Sequence, residues 1–243
     1  MDTVKIKKQN TQLVAHRGLS GIELMNTCAA FVAAGNRDYF GIETDVHVTS
    51  DKKFVVIHDD NTKRVSNTNV IVEQTDYDTL RTLPLKDADG FERVDLKIPS
   101  LEEYLKICAK YEKTAVLELK NAFEKADVCA MLEIVKENIS PDKIIYISFD
   151  YNNLCYIKEC IPDATVQFLC GYKEDVAIND EFVQKLKAYD MDLDIEHHSL
   201  TETSVRFLHE NGIKVNCWTV DDPERAEELV KMGVDFITTN ILQ

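Results

Sequence analysis

Residues 41–60 hold the side chains of this sequence whose types and spacing best suit chemistry. In the strand predicted at the start of this stretch, Glu43, Asp45 and His47 alternate with apolar residues and therefore share one face. Carboxylate oxygens are the ligands that hard divalent cations prefer, and an imidazole beside them can transfer a proton. The stretch therefore predicts a metal site with a proton-transfer group. The alternative is a solvated hairpin face, on which charged residues alternate in the same way.

A tight turn at residues 50–53 is predicted to fold this stretch into an antiparallel hairpin. If Thr49 and Phe54 pair across that turn, counting along the two strands places His58 opposite Asp45. Directly opposed side chains share a face and lie about 5 Å apart at their Cβ atoms. We therefore expect the His58 imidazole to lie beside the carboxylates.

The composition limits the partners that this chain can have. Its 243 residues are 44% hydrophobic, which is enough for one large domain, and its formal net charge is −15. A surface this acidic repels phosphate backbones, so nucleic acid is not expected as a partner. A small anionic substrate would need a local positive charge, which a bound metal ion could supply.

The seven cysteines are scattered along the chain and include no Cys-x-x-Cys pair. Cys28, Cys108 and Cys129 fall on apolar faces of predicted helices, so we expect buried, reduced thiols in a reducing compartment. The first twelve residues lack the apolar region of a signal peptide, and no run approaches the roughly 18 apolar residues of a membrane span. These features predict a soluble cytoplasmic protein without stable membrane association.

Apolar strands alternate with amphipathic helices along most of the chain, which indicates a parallel sheet covered by helices. No glycine-rich phosphate loop stands at a strand–helix junction, which argues against a doubly wound nucleotide-binding sheet. Eight parallel strands, the number in a closed (β/α)8 TIM barrel, are predicted near residues 14, 43, 117, 146, 168, 194, 216 and 237.

The chain is therefore expected to form a single α/β barrel domain, residues 1–243, with one small insertion. Residues 61–99 are polar and too long for a bare loop in a compact domain, so they are predicted to carry some structure of their own after the second strand unit. No helix is predicted after the last strand. This leaves an outer face that a second subunit of a homo-oligomer could cover.

Side chains at the carboxyl ends of barrel strands surround one site. The first predicted strand ends in His16 and Arg17, the third in Glu118 and Lys120, and the seventh in Trp218. Each of these residues alone has an ordinary structural explanation, such as a strand-end ion pair or a core tryptophan. Together with the polar residues of the hairpin they predict a site, because burying so many ionisable groups without a function would be costly.

Metal-assisted cleavage of a phosphodiester is the chemistry that fits this set. One Mg²⁺ or Ca²⁺ would be held by the carboxylates of Glu43, Asp45 and Glu118, and would polarise a phosphoryl oxygen. Arg17 and Lys120 would hold the remaining non-bridging oxygens.

Two histidines, His16 and His58, would serve as acid and base on opposite sides of an in-line displacement, each contributing about 10²–10⁴-fold. Trp218 is the candidate for a further contact with the substrate. Whether the attacking group is water or a hydroxyl of the substrate is left open by the sequence.

These residues lie in motifs that resemble those of the glycerophosphodiester phosphodiesterase family, over nearly the whole chain. The motifs follow in the family's order as VAHRG (14–18), NTCAAF (26–31), GIETDVHVTSDKKFVVIHDDNTKR (41–64), LELK (117–120), ISFD (147–150), CWTVDD (217–222) and GVDFITTN (233–240). The resemblance implies a (β/α)8 barrel with a small insertion after the second strand unit. It also implies hydrolysis of glycerophosphodiesters to sn-glycerol 3-phosphate and an alcohol.

The resemblance also implies the role of each site residue. Metal binding carries over to Glu43, Asp45 and Glu118. Catalysis carries over to His16 and His58, and phosphate contacts carry over to Arg17 and Lys120.

The chain departs from the family's pattern at three places. Leu24 and Met25 stand where Pro-Glu usually precedes Asn-Thr, Lys52 replaces the glycine of the hairpin turn, and Asn240 replaces the usual aspartate after the last strand. If the missing glutamate supports the site, its loss is expected to reduce efficiency by about 10–100-fold. None of these positions is among the residues expected to bind metal, so the expected reaction class is unchanged.

Three functions compete at this stage. The first is metal-dependent hydrolysis of glycerophosphocholine, glycerophosphoethanolamine or a similar small-molecule head group. The second is a lysophospholipid-type phosphodiesterase, which needs an apolar groove for an acyl chain and ranks lower because residues 61–99 are polar. The third is a non-catalytic binder of glycerol phosphates or metal, which is suggested by Leu24 and Met25 in place of the family's Pro-Glu.

Overall fold

The computed structural model describes residues 2–87, 89–171 and 177–243. Within these ranges eight parallel strands close into a barrel, because the first strand pairs with both the second and the last. The predicted TIM barrel is therefore confirmed. The strands are β1 (Gln12–Ala15), β2 (Gly41–Val48), β3 (Phe54–Val56), β4 (Leu85–Lys86), β5 (Glu92–Arg93), β6 (Thr114–Leu119), β7 (Ile144–Ser148), β8 (Val166–Cys170), β9 (Asp192–Glu196), β10 (Val215–Trp218) and β11 (Phe236–Thr239), of which β3, β4 and β5 lie outside the barrel.

Helices separate the barrel strands along most of the chain, as the alternating pattern predicts. None of the helices within the described ranges combines the length and the apolar character that crossing a bilayer requires. The helices are α1 (Cys28–Gly35), α2 (Tyr77–Thr82), α3 (Leu101–Lys110), α4 (Lys125–Asn138), α5 (Tyr151–Cys160), α6 (Asp180–Lys187), α7 (Glu202–Glu210) and α8 (Pro223–Met232).

The two faces of β2 meet different surroundings. Ile42 and Val46 belong to the main core, together with Tyr104 of α3 and other side chains of the covering helices. Glu43 lies beside Val116 of β6, which belongs to a separate apolar cluster inside the barrel. All eight residues of β2 are buried, so this strand is not the solvated hairpin face of the alternative interpretation.

The register of the β2–β3 hairpin differs by one residue from the predicted one. His47 pairs with Val55, and the N–H of Thr49 donates to the carbonyl of Lys53 across a three-residue turn. Lys52 closes this turn in the left-handed conformation, with φ at 61°. The prediction of a four-residue turn was wrong, and a shift of one residue exchanges the two faces of the return strand.

The corrected register changes how His58 reaches the site. Ile57 lies across from Asp45, and its N–H donates to the Asp45 carbonyl at 3.1 Å. Strand β3 ends before His58, so this histidine comes from the chain beyond the strand and is not a cross-strand neighbour of Asp45.

Residues 61–99 contain short elements of secondary structure. They contain a short 3-10 helix (Val72–Gln74), helix α2 and the two-stranded sheet of β4 and β5. Their apolar side chains pack with Val55 of β3 and with Ile57, just after β3, into a second small core. This core is made of Val55, Ile57, Val65, Val72, Leu80, Leu85, Leu96 and Ile98.

The stretch after the last strand pairs with residues near the other end of the chain. Val4 forms a parallel bridge with Leu242, which is fully buried, and the N–H of Gln243 donates to the Val4 carbonyl. Ile6 packs against the main core beside this bridge. Part of the outer face that has no helix after the last strand is therefore covered by the chain itself.

The expectation that Cys28, Cys108 and Cys129 are buried is correct for Cys108 alone. Cys28 is half-buried and Cys129 is exposed, as is Cys160. The prediction of burial failed for Cys129 because the helix face that carries it borders an open cleft between α4 and α5.

Helix α3 begins with two reciprocal hydrogen bonds. Ser100 Oγ accepts from the N–H of Glu103 at 3.2 Å, and the Glu103 carboxylate accepts from the N–H of Ser100 at 2.9 Å. The same carboxylate accepts from Arg81 Nη2 of α2 at 2.8 Å. The cap therefore also joins the barrel helix to residues 61–99.

Replacing Ser100 by alanine is expected to lower the free energy of unfolding by about 1 kcal/mol, because the N–H of Glu103 loses its acceptor. For a chain of this length the melting temperature should fall by about 2–4 °C. Thermal denaturation followed by circular dichroism measures the change. Ser140→Ala is the matched control, because Ser140 precedes a 3-10 helix without a capping bond. Equal melting temperatures for wild type and Ser100→Ala would contradict the capping role.

Candidate active site

Three carboxylates converge inside the barrel from two neighbouring strands. Glu43 and Asp45 come from β2 and Glu118 from β6, where Asp45 and Glu118 are register partners. One oxygen from each lies within 4.8 Å of the others. The three residues are 3%, 0% and 8% exposed, so the cluster is shielded from bulk water.

Burial and mutual repulsion shift the pKa values of these acids in different directions. Burial and then the charge of Asp45 raise the pKa of Glu118 to about 8 and hold the pKa of Glu43 well above its ordinary value. Burial acts in the same direction on Asp45, but Lys120 and Arg17 outweigh it and lower its pKa to about 2. The two cations described beside the cluster are therefore too few to keep all three acids ionised.

This donor set fits a divalent cation. Asp45 Oδ1 is buried and accepts no hydrogen bond within the described ranges, and the nearby Lys120 Nζ lies 3.4 Å away. Three carboxylates around one point match the oxygen coordination that Mg²⁺ and Ca²⁺ prefer. A doubly charged ion there would favour the ionised form of every member of the cluster.

Arg17 and Lys120 flank the carboxylates on either side. Lys120 Nζ is 2.7 Å from Glu118 Oε1, and Arg17 Nε is 3.4 Å from Asp45 Oδ2. The backbone N–H of Arg17 also donates to Glu43 Oε2 at 2.7 Å, from a residue in the left-handed conformation with φ at 54°. Each cationic side chain keeps 14% of its surface exposed, which lets it meet an anionic group at the mouth of the barrel.

The orientation of His16 follows from a chain of hydrogen bonds that begins at Asp221. The Asp221 carboxylate can only accept, and it receives Asn240 Nδ2 at 2.6 Å and the Asn240 backbone N–H at 2.8 Å. The Asn240 amide therefore turns its Oδ1 toward His16 Nδ1, 2.8 Å away. His16 must donate from Nδ1, which leaves Nε2 as an acceptor. Burial and the charge of Arg17 lower the pKa of His16 to about 4, so the ring is neutral at pH 7.

His58 is oriented by its neighbour in the sequence. Its Nδ1 lies 2.7 Å from Asp59 Oδ1, which also accepts from Arg64 Nη2 at 2.6 Å. Burial lowers the pKa of His58, and the charge of Asp45 opposes that shift. His47, which lies two residues after Asp45 on β2, is fully buried, with its Nε2 3.4 Å from the His58 carbonyl.

Asn26 is a buried support that sequence reasoning did not assign to the site. Its Nδ2 donates to Asp45 Oδ2 at 2.7 Å, and its Oδ1 accepts from Thr44 Oγ1 at 2.8 Å. The neighbouring Thr27, rather than Asn26, caps α1. The available signal was the Asn-Thr pair itself, in which one polar residue caps the helix and the other is free for another bond.

Met25 occupies the position of the glutamate expected from the family pattern. Its sulfur lies 3.5 Å from Arg17 Nη1 and 3.8 Å from Arg64 Nη1. A thioether is a weak acceptor, so these two guanidinium groups converge on a neutral atom. The site is therefore more positive at this point than it would be with a carboxylate.

Trp218 lies at the end of β10 among the apolar side chains of the barrel interior. Its ring meets Phe149 edge to face, with centroids 5.7 Å apart, and Phe149 is 49% exposed. Trp218 Nε1 is buried and has no hydrogen-bond partner among the described residues. The two rings form an aromatic wall beside the mouth of the barrel.

A second group of ligand-type side chains lies at the end of β9. Glu196, His197 and His198 bring one ligand atom each within 4.8 Å of the others. Arg225 Nε donates to His197 Nδ1 at 3.4 Å, which puts the His197 proton on Nε2, the nitrogen that faces Glu196. A metal ion there would have to displace that proton, so this group is the weaker metal candidate.

The hydrogen-bond chain from Asp221 predicts that His16 carries its proton on Nδ1 at neutral pH. Proton–nitrogen correlation spectra of the histidine rings report the tautomer directly. Replacing Asn240 by alanine should remove the preference for Nδ1–H. Asn36→Ala, an exposed helix end outside this network, is the control that should preserve it. An Nε2–H tautomer in the wild-type protein would contradict the assigned orientation.

Comparison with known proteins agrees with this geometry. The family model described as "Glycerophosphoryl diester phosphodiesterase family" matches residues 16–242. A glycerophosphodiester phosphodiesterase of Caldanaerobacter subterraneus subsp. tengcongensis is 28% identical over 239 residues, which cover 95% of this chain and 94% of that protein.

Solved structures agree as well. An Oleispira antarctica phosphodiesterase, determined in complex with the product sn-glycerol-3-phosphate, superposes with a TM-score of 0.87 at 27% identity, covering 94% of this chain and 92% of that one. A glycerophosphodiester phosphodiesterase of Parabacteroides distasonis gives 0.79 at 29% identity, with 96% and 94% covered. The match of the family model over nearly the whole chain shows that the chain belongs to the glycerophosphoryl diester phosphodiesterase family and is an enzyme of that class.

Proposed function

We propose that this enzyme hydrolyses glycerophosphodiesters such as glycerophosphocholine and glycerophosphoethanolamine to sn-glycerol 3-phosphate and an alcohol, with one divalent cation and two histidines. The observation that carries the proposal is the cluster of three buried carboxylates. Two basic side chains flank it, and a nearby imidazole, that of His16, is held in one tautomer.

The proposed metal ligands are Glu43, Asp45 and Glu118, and the proposed ion is Mg²⁺ or Ca²⁺. When bound, such an ion polarises a phosphoryl oxygen and lowers the pKa of an attacking hydroxyl or water. Arg17 and Lys120 are proposed to hold the other non-bridging oxygens, because their charged groups border the carboxylates and stay partly exposed.

The two histidines are proposed to act as base and acid. The neutral ring of His16, with Nε2 free to accept, suits the removal of a proton from the attacking group. Burial lowers the pKa of His58, but the Asp59 carboxylate, 2.7 Å from its Nδ1, and the charge of Asp45 oppose that shift, and His58 is proposed to donate a proton to the leaving alcohol. The Trp218 ring, next to Phe149, is proposed to contact the substrate beside the reacting phosphate.

The lysophospholipid alternative has less support. It needs an apolar groove for an acyl chain, and most large apolar side chains of residues 61–99 pack into their own small core. Phe91 and Val94 are exposed on the β4–β5 hairpin, and two single side chains do not form a groove. A single domain with an insertion at 61–99, a cytoplasmic location, a role in lipid head-group metabolism and a homo-oligomer remain proposals.

Replacing His16 by alanine is expected to reduce kcat by about 10²–10⁴-fold, because the attacking group loses its proton acceptor. Glu118→Gln should also reduce kcat by at least about 100-fold and weaken metal binding, since a neutral amide replaces a charged ligand. Release of glycerol 3-phosphate from glycerophosphocholine measures the first effect, and calorimetric titration with Mg²⁺ or Ca²⁺ measures the second.

Two surface variants serve as matched controls. His209→Ala removes an imidazole that pairs with Asp235, and Glu133→Gln changes an exposed carboxylate on α4. Both should keep wild-type activity. Near-normal turnover in His16→Ala and Glu118→Gln would refute the proposed site, whereas intact metal binding without turnover in the wild type would favour the non-catalytic binder.

A further inference from the structure

Two of the seven cysteines form a pair on the outside of the barrel. Cys129 lies in α4 and Cys160 ends α5, and both are exposed. Their Sγ atoms are 3.3 Å apart. The other cysteines, all within the described residues, are half-buried or buried: Cys28, Cys108, Cys155, Cys170 and Cys217.

The geometry points to a thiol modification site: we propose that Cys129 and Cys160 form a reversible disulfide when a small disulfide oxidant is present. Neither thiol takes part in the proposed phosphodiester reaction, so the inference is independent of that function. A disulfide can form here if the two sulfur atoms are held close together and if the oxidant can reach them.

A second contact shows that α4 and α5 are held together at this point. Lys125 Nζ lies 2.6 Å from Glu159 Oε2, one turn before Cys129 on α4 and one residue before Cys160 on α5. The ion pair and the thiol pair thus bridge the same two helices side by side. A disulfide needs a sulfur separation of about 2.05 Å, so a small side-chain movement would close the gap.

An open cleft provides the route for a reagent. Both thiols line a cleft of about 460 Å³ between α4 and α5, together with apolar residues such as Leu132 and Ile161. Ile144, the first residue of β7, also lines it, which puts the cleft toward the amino-terminal ends of the strands, opposite the carboxylates. A small disulfide can therefore reach the thiols without entering the candidate active site.

The surroundings of Cys160 favour its thiol form at neutral pH. Burial and the neighbouring Cys129 raise the pKa of Cys160, and the Lys125 ammonium opposes that shift in part. The thiolate is the attacking species, so exchange should be slow at pH 7 and faster as the pH rises. The pair is thus expected to persist as a dithiol until an oxidant is supplied.

The exchange balances with glutathione disulfide as the oxidant. One cysteine loses its proton to solvent and attacks a sulfur of glutathione disulfide, forming a mixed disulfide and releasing one glutathione thiolate. The second cysteine loses its proton and attacks the protein sulfur of that mixed disulfide, which forms the Cys129–Cys160 bond and releases the other glutathione. Two protein thiols are oxidised, one glutathione disulfide is reduced, and the released thiolates take up the two protons.

The bond would join residues that are 31 positions apart, and none of the proposed metal ligands, catalytic histidines or phosphate-binding residues lies between them. Closing a loop of this length restricts the unfolded chain and should raise the melting temperature by roughly 5–10 °C. Turnover should be unchanged, because no site residue is moved or modified.

The proposal is tested by incubating the protein with glutathione disulfide at pH 8 and then mapping its peptides by mass spectrometry without reduction. The expected product is one peptide pair linked through Cys129 and Cys160, with the higher melting temperature reversed by dithiothreitol. Cys129→Ser and Cys160→Ser should each stop at a mixed disulfide with glutathione, and Cys28→Ser is the control that should still cross-link. Stable mixed disulfides on both wild-type thiols, or two unreacted thiols, would overturn the proposal.

Discussion

The site depends on holding three carboxylates together inside a closed barrel. Moving an ionised carboxylate out of water costs several kcal/mol even after the protein relaxes, and repulsion between the acids adds to that cost. The register between β2 and β6 makes the close approach unavoidable, because it sets Asp45 directly beside Glu118. The charges of Arg17 and Lys120 offset part of this cost, and the proposed divalent cation would offset the rest.

Two asparagine side chains also orient groups of the candidate site. Asn26 donates to Asp45 without adding charge, and Asn240 accepts from His16 in the same neutral way. The departure from the family's aspartate at position 240 thus keeps the acceptor and removes a negative charge beside the imidazole. The His16 pKa of about 4 is consistent with asparagine at position 240, because a carboxylate there would favour the protonated ring.

Sequence reasoning could predict the barrel and its polar strand ends because both follow from periodicity. Alternation along β2 shows which side chains share a face, and parallel strands bring their carboxyl ends to one mouth. The turn geometry could not be predicted in the same way, because Lys52 adopts a left-handed conformation that its residue type disfavours. That single residue shifted the register and changed how His58 reaches the site.

Long-range hydrogen bonds were also outside the reach of the sequence. The bond from His16 to Asn240 joins residues 224 positions apart, and no local pattern marks either of them as a partner. The prediction that Cys129 is buried failed for a related reason, because its exposure depends on the cleft between two helices rather than on the apolar face of its own helix. Periodicity predicts which face is buried, and the packing of neighbours decides how completely.

The most direct measurement is the release of glycerol 3-phosphate from glycerophosphocholine and glycerophosphoethanolamine by protein stripped of metal with EDTA and then supplied with Mg²⁺ or Ca²⁺. The three-carboxylate site predicts no release from the stripped protein and restored release with at least one of the two ions. Release that persists unchanged after the metal has been removed would contradict this account, and so would its absence from a folded protein that binds either ion.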